Sequence, residues 1–327
     1  MRSASARAAE ARLLKLGATV YRVEAAADGE DGGGQEGGLH TWGRLAAADR
    51  VREEVEDGVL LPLLHPQAFK SVAQTTREGS ATNNLPRAVL FTGPPGTGKT
   101  TAARIIAAQA RAPLVYVPLE SVTSKWYGES ERNMRDMAEA TASLGAAEGG
   151  GRALLFIDEL DALAGDRDAG GGDEGGGGGM HEASRRILSV LLRQLDGIES
   201  REKEEMGEGG NRVMLIGASN RPQDLDKALL SRFDVRVRFD LPDEDARAGI
   251  FNLYARHLAR RPGDREAFAR LSDGLSGRAI LDVCNATERS WVARSVRDGG
   301  GGVKEAPPID EYLKQLDRYK RARLGDY

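Results

Sequence analysis

The chain is short of several things, and each shortage excludes a class of protein. Of 327 residues one is cysteine and 5% are aromatic. A disulfide framework is excluded, which suits a reducing compartment, and Cys284, inside the apolar-periodic run Ile280-Leu281-Asp282-Val283-Cys284, is expected to pack as a small hydrophobe. No stretch approaches the roughly eighteen consecutive apolar residues of a membrane-spanning helix. The start Met1-Arg2-Ser3-Ala4-Ser5-Ala6-Arg7 lacks a secretory apolar core, so a soluble protein of the cytoplasm or nucleus is expected; its Arg, Ser and Ala content also fits an organelle transit peptide. Charge is nearly balanced, 46 basic against 50 acidic residues with a net of −4, so no global field draws the chain to nucleic acid. The one sequence that approaches a zinc-protease pattern, His181-Glu182-Ala183-Ser184-Arg185, has arginine where the second histidine ligand belongs.

Against that background Gly93-Pro94-Pro95-Gly96-Thr97-Gly98-Lys99-Thr100 stands out. It follows the apolar run Ala88-Val89-Leu90-Phe91 and precedes Thr101-Ala102-Ala103-Arg104-Ile105-Ile106, which has helical composition. In the spacing G-x-x-x-x-G-K-[ST], glycines let backbone N–H groups close around phosphate oxygens while the next helix turns its positive end to the same anion. Gly93 to Thr101 are therefore the candidate nucleotide-binding residues. Lys99 is placed to reach the β and γ phosphates of ATP, and Thr100 to hold Mg2+.

Further along, Ala153-Leu154-Leu155-Phe156-Ile157 reads as a strand buried on both faces and ends in Asp158-Glu159. An Asp-Glu pair is by itself an ordinary helix cap. At the carboxyl end of a buried parallel strand it lies where such sheets bind ligands, and beside a phosphate loop Asp158 is expected in the Mg2+ shell, with Glu159 polarising an attacking water. The apolar strand from Arg212 ends in Asn220, which can orient that water or begin the turn before Pro222. Arg232 follows a short amphipathic helix. Lys125-Trp126-Tyr127-Gly128 sets two large aromatics beside a glycine, which serves either sequence-tolerant grip or core packing at a helix start.

Together these residues resemble the AAA+ ATPases, and more narrowly the AAA subgroup that includes katanin and spastin, from about Leu39 to Val296. The resemblance implies an α/β fold, a three-layer αβα P-loop NTPase with a parallel sheet, followed by a small helical lid. It implies ATP hydrolysis in a homo-oligomeric ring, usually a hexamer, with Arg232 reaching a neighbour's nucleotide and Asn220 as sensor. Trp126, Tyr127 and Gly128 would line the central channel and grip a protein substrate. Arg278 in Leu275-Ser276-Gly277-Arg278 matches AAA+ branches in which a lid arginine touches the γ phosphate; the plain alternative is an exposed first-turn arginine. Three positions depart from the subgroup. Val235 and Ser231 stand where variants carry a second finger arginine, with Arg236 close enough to substitute, and Ala47 replaces a usual glycine. Val235, together with the lack of a recognisable adaptor segment, motivates a second reading, a nucleotide-gated scaffold with little hydrolysis.

Composition shifts divide the chain into residues 1–38, an N-terminal helix and Gly-rich linker; 39–241, the nucleotide-binding part; 242–298, the helical lid; and 299–327, a linker and basic C-terminal helix. The low-complexity stretch 165–180 is expected to be a flexible insert, either near the channel or on an unconstrained surface.

Overall fold

Strands that are apolar at successive positions need cover on both faces, and in the computed structural model they form the middle of a sheet. The structure describes residues 3–22, 42, 45, 49–76, 84–118, 130–163, 212–225, 227–258, 262–297 and 305–324. The strands are β1 (Thr19–Tyr21), β2 (Ala88–Thr92), β3 (Leu114–Val117), β4 (Arg152–Ile157), β5 (Arg212–Ser219) and β6 (Val235–Arg238), ordered β1-β3-β4-β5-β2-β6. β2 to β6 pair parallel, and β1 lies antiparallel on β3. The chain divides into two units. The larger holds Met1–His40, Val51–Gly93 and Lys99–Arg238; the smaller holds Thr41–Arg50, Pro94–Gly98 and Phe239–Tyr327.

Among the described residues the helices before the last strand are α1 (Ala4–Lys15), α2 (Asp49–Val55), α3 (Leu61–Leu64), α4 (Pro66–Thr76), α5 (Lys99–Gln109), α6 (Ser130–Glu148) and α7 (Lys227–Leu230). One sheet face is covered by α1 and α6, where Leu13, Met134 and Met137 pack with Val115, Val117, Leu155 and Leu215. α5 covers the other with Ile105 and Ile106. Side chains alternate along a strand, so Tyr116, Phe156 and Asp158 share the α5 face. A π turn, Glu56–Leu60, joins α2 to α3 just before Pro62, whose missing N–H disfavours a regular helix there.

The helix expected in residues 1–38 is α1, and it packs on the sheet. Ser3 caps α1 by accepting from the Ala6 N–H at 3.1 Å, and Ala6, Ala9 and Leu13 bury one stripe. Burying Leu13 stabilises by about 2 kcal/mol. Gly17, at φ 84°, turns the chain into β1, which extends the sheet past β3. Arg22 then fixes the end: its two terminal nitrogens donate to Glu10 at 2.7 and 2.9 Å, and its Nε donates to Glu148 at 2.6 Å.

The smaller unit is helical after the sheet. α8 (Glu244–Tyr254), α9 (Pro262–Leu271), α10 (Gly277–Arg297) and α11 (Ile309–Leu324) enclose a core in which Phe251 and Phe268 stack at 3.9 Å and Tyr312 meets Phe251 edge-on. α9 begins at Pro262, because proline is tolerated in a first helical turn. The C-terminal helix α11 packs on α10 through Tyr312 and Leu316. Cys284 is buried as expected, and its thiol is pushed up to about 12, by burial first and by Glu288 second.

Candidate functional site

In the larger unit the phosphate-loop lysine is the organising group. Lys99 opens α5, is 6% exposed, and donates from Nζ to the Gly93 carbonyl at 2.7 Å and to Asn220 Oδ1 at 2.8 Å. β2 and β5 are parallel neighbours with Thr92 opposite Ser219, so Gly93 and Asn220 leave the sheet side by side. The Gly93 N–H donates to Ser219 O at 3.2 Å and keeps them in step. Burial lowers the Lys99 pKa, while the charges of Asp158 and Asp161 act to raise it. A buried ammonium persists only with such partners.

Asp158 and Glu159 follow β4. Thr100 Oγ1 donates to Asp158 Oδ2 at 3.2 Å, which sets two hard oxygen donors side by side, and the Glu159 N–H donates to Asp158 Oδ1 at 2.9 Å. That donor pair fits Mg2+, which takes few protein ligands and otherwise water and phosphate oxygens. Glu159 is exposed and sits at φ 57°, left-handed backbone that a glutamate enters only at a cost. Two residues went unnoticed in the sequence. Asp161 Oδ1 accepts from the Asn220 N–H at 3.1 Å and so fixes the end of β5. Tyr116, on the same sheet face as Asp158, has its phenol pKa raised by burial first and then by Asp158 and Glu159. Only the short spacing Asp158-Glu159-Leu160-Asp161 could have pointed to Asp161.

Pro94 to Gly98 belong to the smaller unit. Gly96 is at φ 77° and Gly98 at φ 100°. A Cβ on Gly96 would stand 2.7 Å from Ser276 Oγ and 2.8 Å from Arg278 Cβ, and one on Gly98 would run into Leu45. Thr97 Oγ1 donates to Pro94 O at 2.9 Å. The Arg278 N–H donates to Gly96 O at 3.3 Å, and its side chain is exposed in the first turn of α10. Arg278 is thus joined to the loop through its backbone.

Arg232 is exposed, its backbone N–H donating to Leu229 O at 3.1 Å in the turn after α7. Arg236 donates from Nη2 to Leu230 O at 2.6 Å, capping the same helix, and Val235 stands against Gly58. Thr101 lies in the first turn of α5. Trp126, Tyr127, Gly128 and the 165–180 insert lie outside the described residues. No described helix is long and apolar enough to cross a membrane.

Residues 89–241 match the family described as "ATPase family associated with various cellular activities (AAA)". The katanin p60 ATPase-containing subunit A1 of Arabidopsis thaliana is 32% identical over 259 residues, covering 78% of this chain and 44% of that protein. Spastin of Danio rerio is 30% identical over 286 residues, 85% of this chain and 44% of that one. The chain therefore spans less than half the length of either relative. Among solved structures, the FIGL-1 AAA domain in complex with ADP is 25% identical with a TM-score of 0.61, covering 93% of this chain and 91% of that one. These likenesses agree with the parallel sheet, the phosphate loop and the strand-end polar residues: the chain belongs to the AAA family of ATPases, among relatives of the katanin and spastin type.

Proposed function

We propose that the chain binds ATP with Mg2+ and hydrolyses it within a homo-oligomeric ring, using the cycle to remodel protein substrates. The observation that carries this reading is the cluster of Lys99, Gly93, Asn220, Thr100 and Asp158, held by direct hydrogen bonds at the carboxyl ends of neighbouring parallel strands. The Lys99 ammonium offsets charge on the β and γ phosphates. Thr100 and Asp158 would hold Mg2+, which would supply charge neutralisation of the phosphates. Glu159 accepts hydrogen from the attacking water. With Oδ1 engaged by Lys99, Asn220 presents its Nδ2 donors to that water or to a γ-phosphate oxygen. Arg232 serves a neighbour's nucleotide, which its exposure permits, and Arg278 borders the loop at Gly96. Trp126, Tyr127 and Gly128 grip the protein substrate.

ATP turnover against protein concentration tests the ring, with light scattering for assembly. Specific activity should rise with concentration in the wild type and collapse in Arg232→Ala; a flat profile in both removes the trans contact. The second reading, a nucleotide-gated scaffold, is favoured by Val235 at the second finger position and by Arg236 being spent on Leu230 O. Tight ATP binding without phosphate release at any concentration would establish it.

A further inference from the structure

Tyr21, Tyr116 and Phe156 form an aromatic row on the α5 face of the sheet that the ATPase reading leaves unused. Tyr21 of β1 meets Tyr116 of β3 edge-on at 6.2 Å and 83°, and Tyr116 stacks on Phe156 of β4 at 5.8 Å. Strand register puts Thr19 opposite Tyr116 and Tyr116 opposite Phe156. Phe156 precedes Asp158 by one full strand repeat, so the row points along the face that carries the carboxylate. The Arg104 guanidinium of α5 lies 4.5 Å from the centre of the Tyr21 ring. Its Nε is buried without a hydrogen-bond partner among the described residues, so the ring face is its evident stabilising neighbour.

Both ends of this row are anchored. Tyr21 is followed by Arg22, clamped to Glu10 of α1 and Glu148 of α6. Arg104 stands one turn after Thr100 on the helix that Lys99 opens. Tyr21 therefore touches both Tyr116, the first of the β3–β4 aromatic pair leading to Asp158 and Glu159, and Arg104 of the helix that carries Lys99 and Thr100.

We propose that Tyr21 is a positioning residue for ATP hydrolysis: through Tyr116 and Arg104 it fixes the carboxyl end of β4 relative to α5, and so makes residues 3–22 part of the catalytic frame. This rests on the reading of Glu159 as the base. A small displacement of the base from the attacking water lowers the rate of the chemical step and leaves the phosphate-loop contacts in place.

The test is steady-state ATP turnover of the full chain at concentrations where specific activity has levelled off, for the wild type, Tyr21→Phe, Tyr21→Leu and Tyr21→Ala, with ATP affinity and Tm measured for each. Tyr21→Phe keeps the ring and should match the wild type. Tyr21→Leu fills the space without a π face, and both it and Tyr21→Ala should lose roughly tenfold in kcat with KM and affinity for ATP unchanged. A wild-type kcat in Tyr21→Leu overturns the proposal whatever its Tm, and so does an equal loss in Tyr21→Phe. Glu159→Gln is run alongside: turnover that survives there refutes the base assignment itself and is separate from the behaviour of Tyr21.

Discussion

Lys99 Nζ and Asn220 Oδ1 are 2.8 Å apart, a bond between residues 121 positions apart in sequence that spans the neighbouring strands β2 and β5. A carboxylate in place of that amide would add the attraction of an opposite charge to a bond already assisted by the ammonium, and so hold the lysine more strongly. Asn220→Asp should therefore weaken ATP binding by roughly tenfold. Asn220→Ala should bind ATP within a few-fold of wild type and lose most turnover. Calorimetric titration of ATP beside a phosphate-release assay separates the two variants.

Glu159 occupies left-handed backbone at φ 57°, a position where glycine carries no Cβ penalty. Glu159→Gly should relieve about 1 kcal/mol of strain and raise Tm by roughly 2–4 °C. The same variant should have no measurable ATP turnover. Differential scanning fluorimetry with an ATPase assay checks this opposition of stability and activity; an unchanged or lower Tm would show that the backbone there is unstrained.

Gly96 has both a positive φ and neighbours that leave no room, with Ser276 Oγ 2.7 Å from where a Cβ would stand. Gly96→Ala should lower stability by about 1–2 kcal/mol and weaken nucleotide binding. Ser276→Ala removes the nearer obstruction and should recover part of the stability, because the two sites are coupled. Thermal unfolding of the two single variants and the double variant measures that coupling.

The buried Cys284 thiol gives a pH dependence with a definite sign. Burial pushes it from the ordinary 9.0 up to about 12, so the folded state holds the proton more tightly. Its contribution to stability is complete below pH 9 and is lost as the pH rises from there toward 12. Burial raises the Tyr312 phenol in the same direction from its ordinary 10.0. Cys284→Ala should accordingly show a shallower fall of Tm with pH above 9 than the wild type, and the native thiol should resist alkylation at neutral pH.

Much of the site was legible because its chemistry is local. The phosphate loop, the strand that ends in Asp158-Glu159 and the strand that ends in Asn220 each announce themselves by apolar runs that stop at polar residues. The helices of the smaller unit follow from periodicity, with Asp243 capping α8 by accepting from the Ala246 N–H at 2.8 Å. What was not legible depends on partners distant in sequence. β1 has only three residues, too few for a period, and becomes a strand because β3 offers an edge. Asp161 gains meaning only where β5 ends beside it, and the engagement of Arg236 with Leu230 O shows only once the turn is folded. The left-handed backbone of Glu159 has no signal in a residue type that normally avoids it.

The most direct measurement is ATP binding and phosphate release on the wild type and Glu159→Gln, at concentrations where assembly is complete. Hydrolysis at the Lys99, Asp158 and Glu159 cluster predicts equal affinity for ATP in the two proteins and turnover in the wild type alone. Turnover that persists in Glu159→Gln would contradict it, as would a wild type that binds ATP tightly and releases no phosphate.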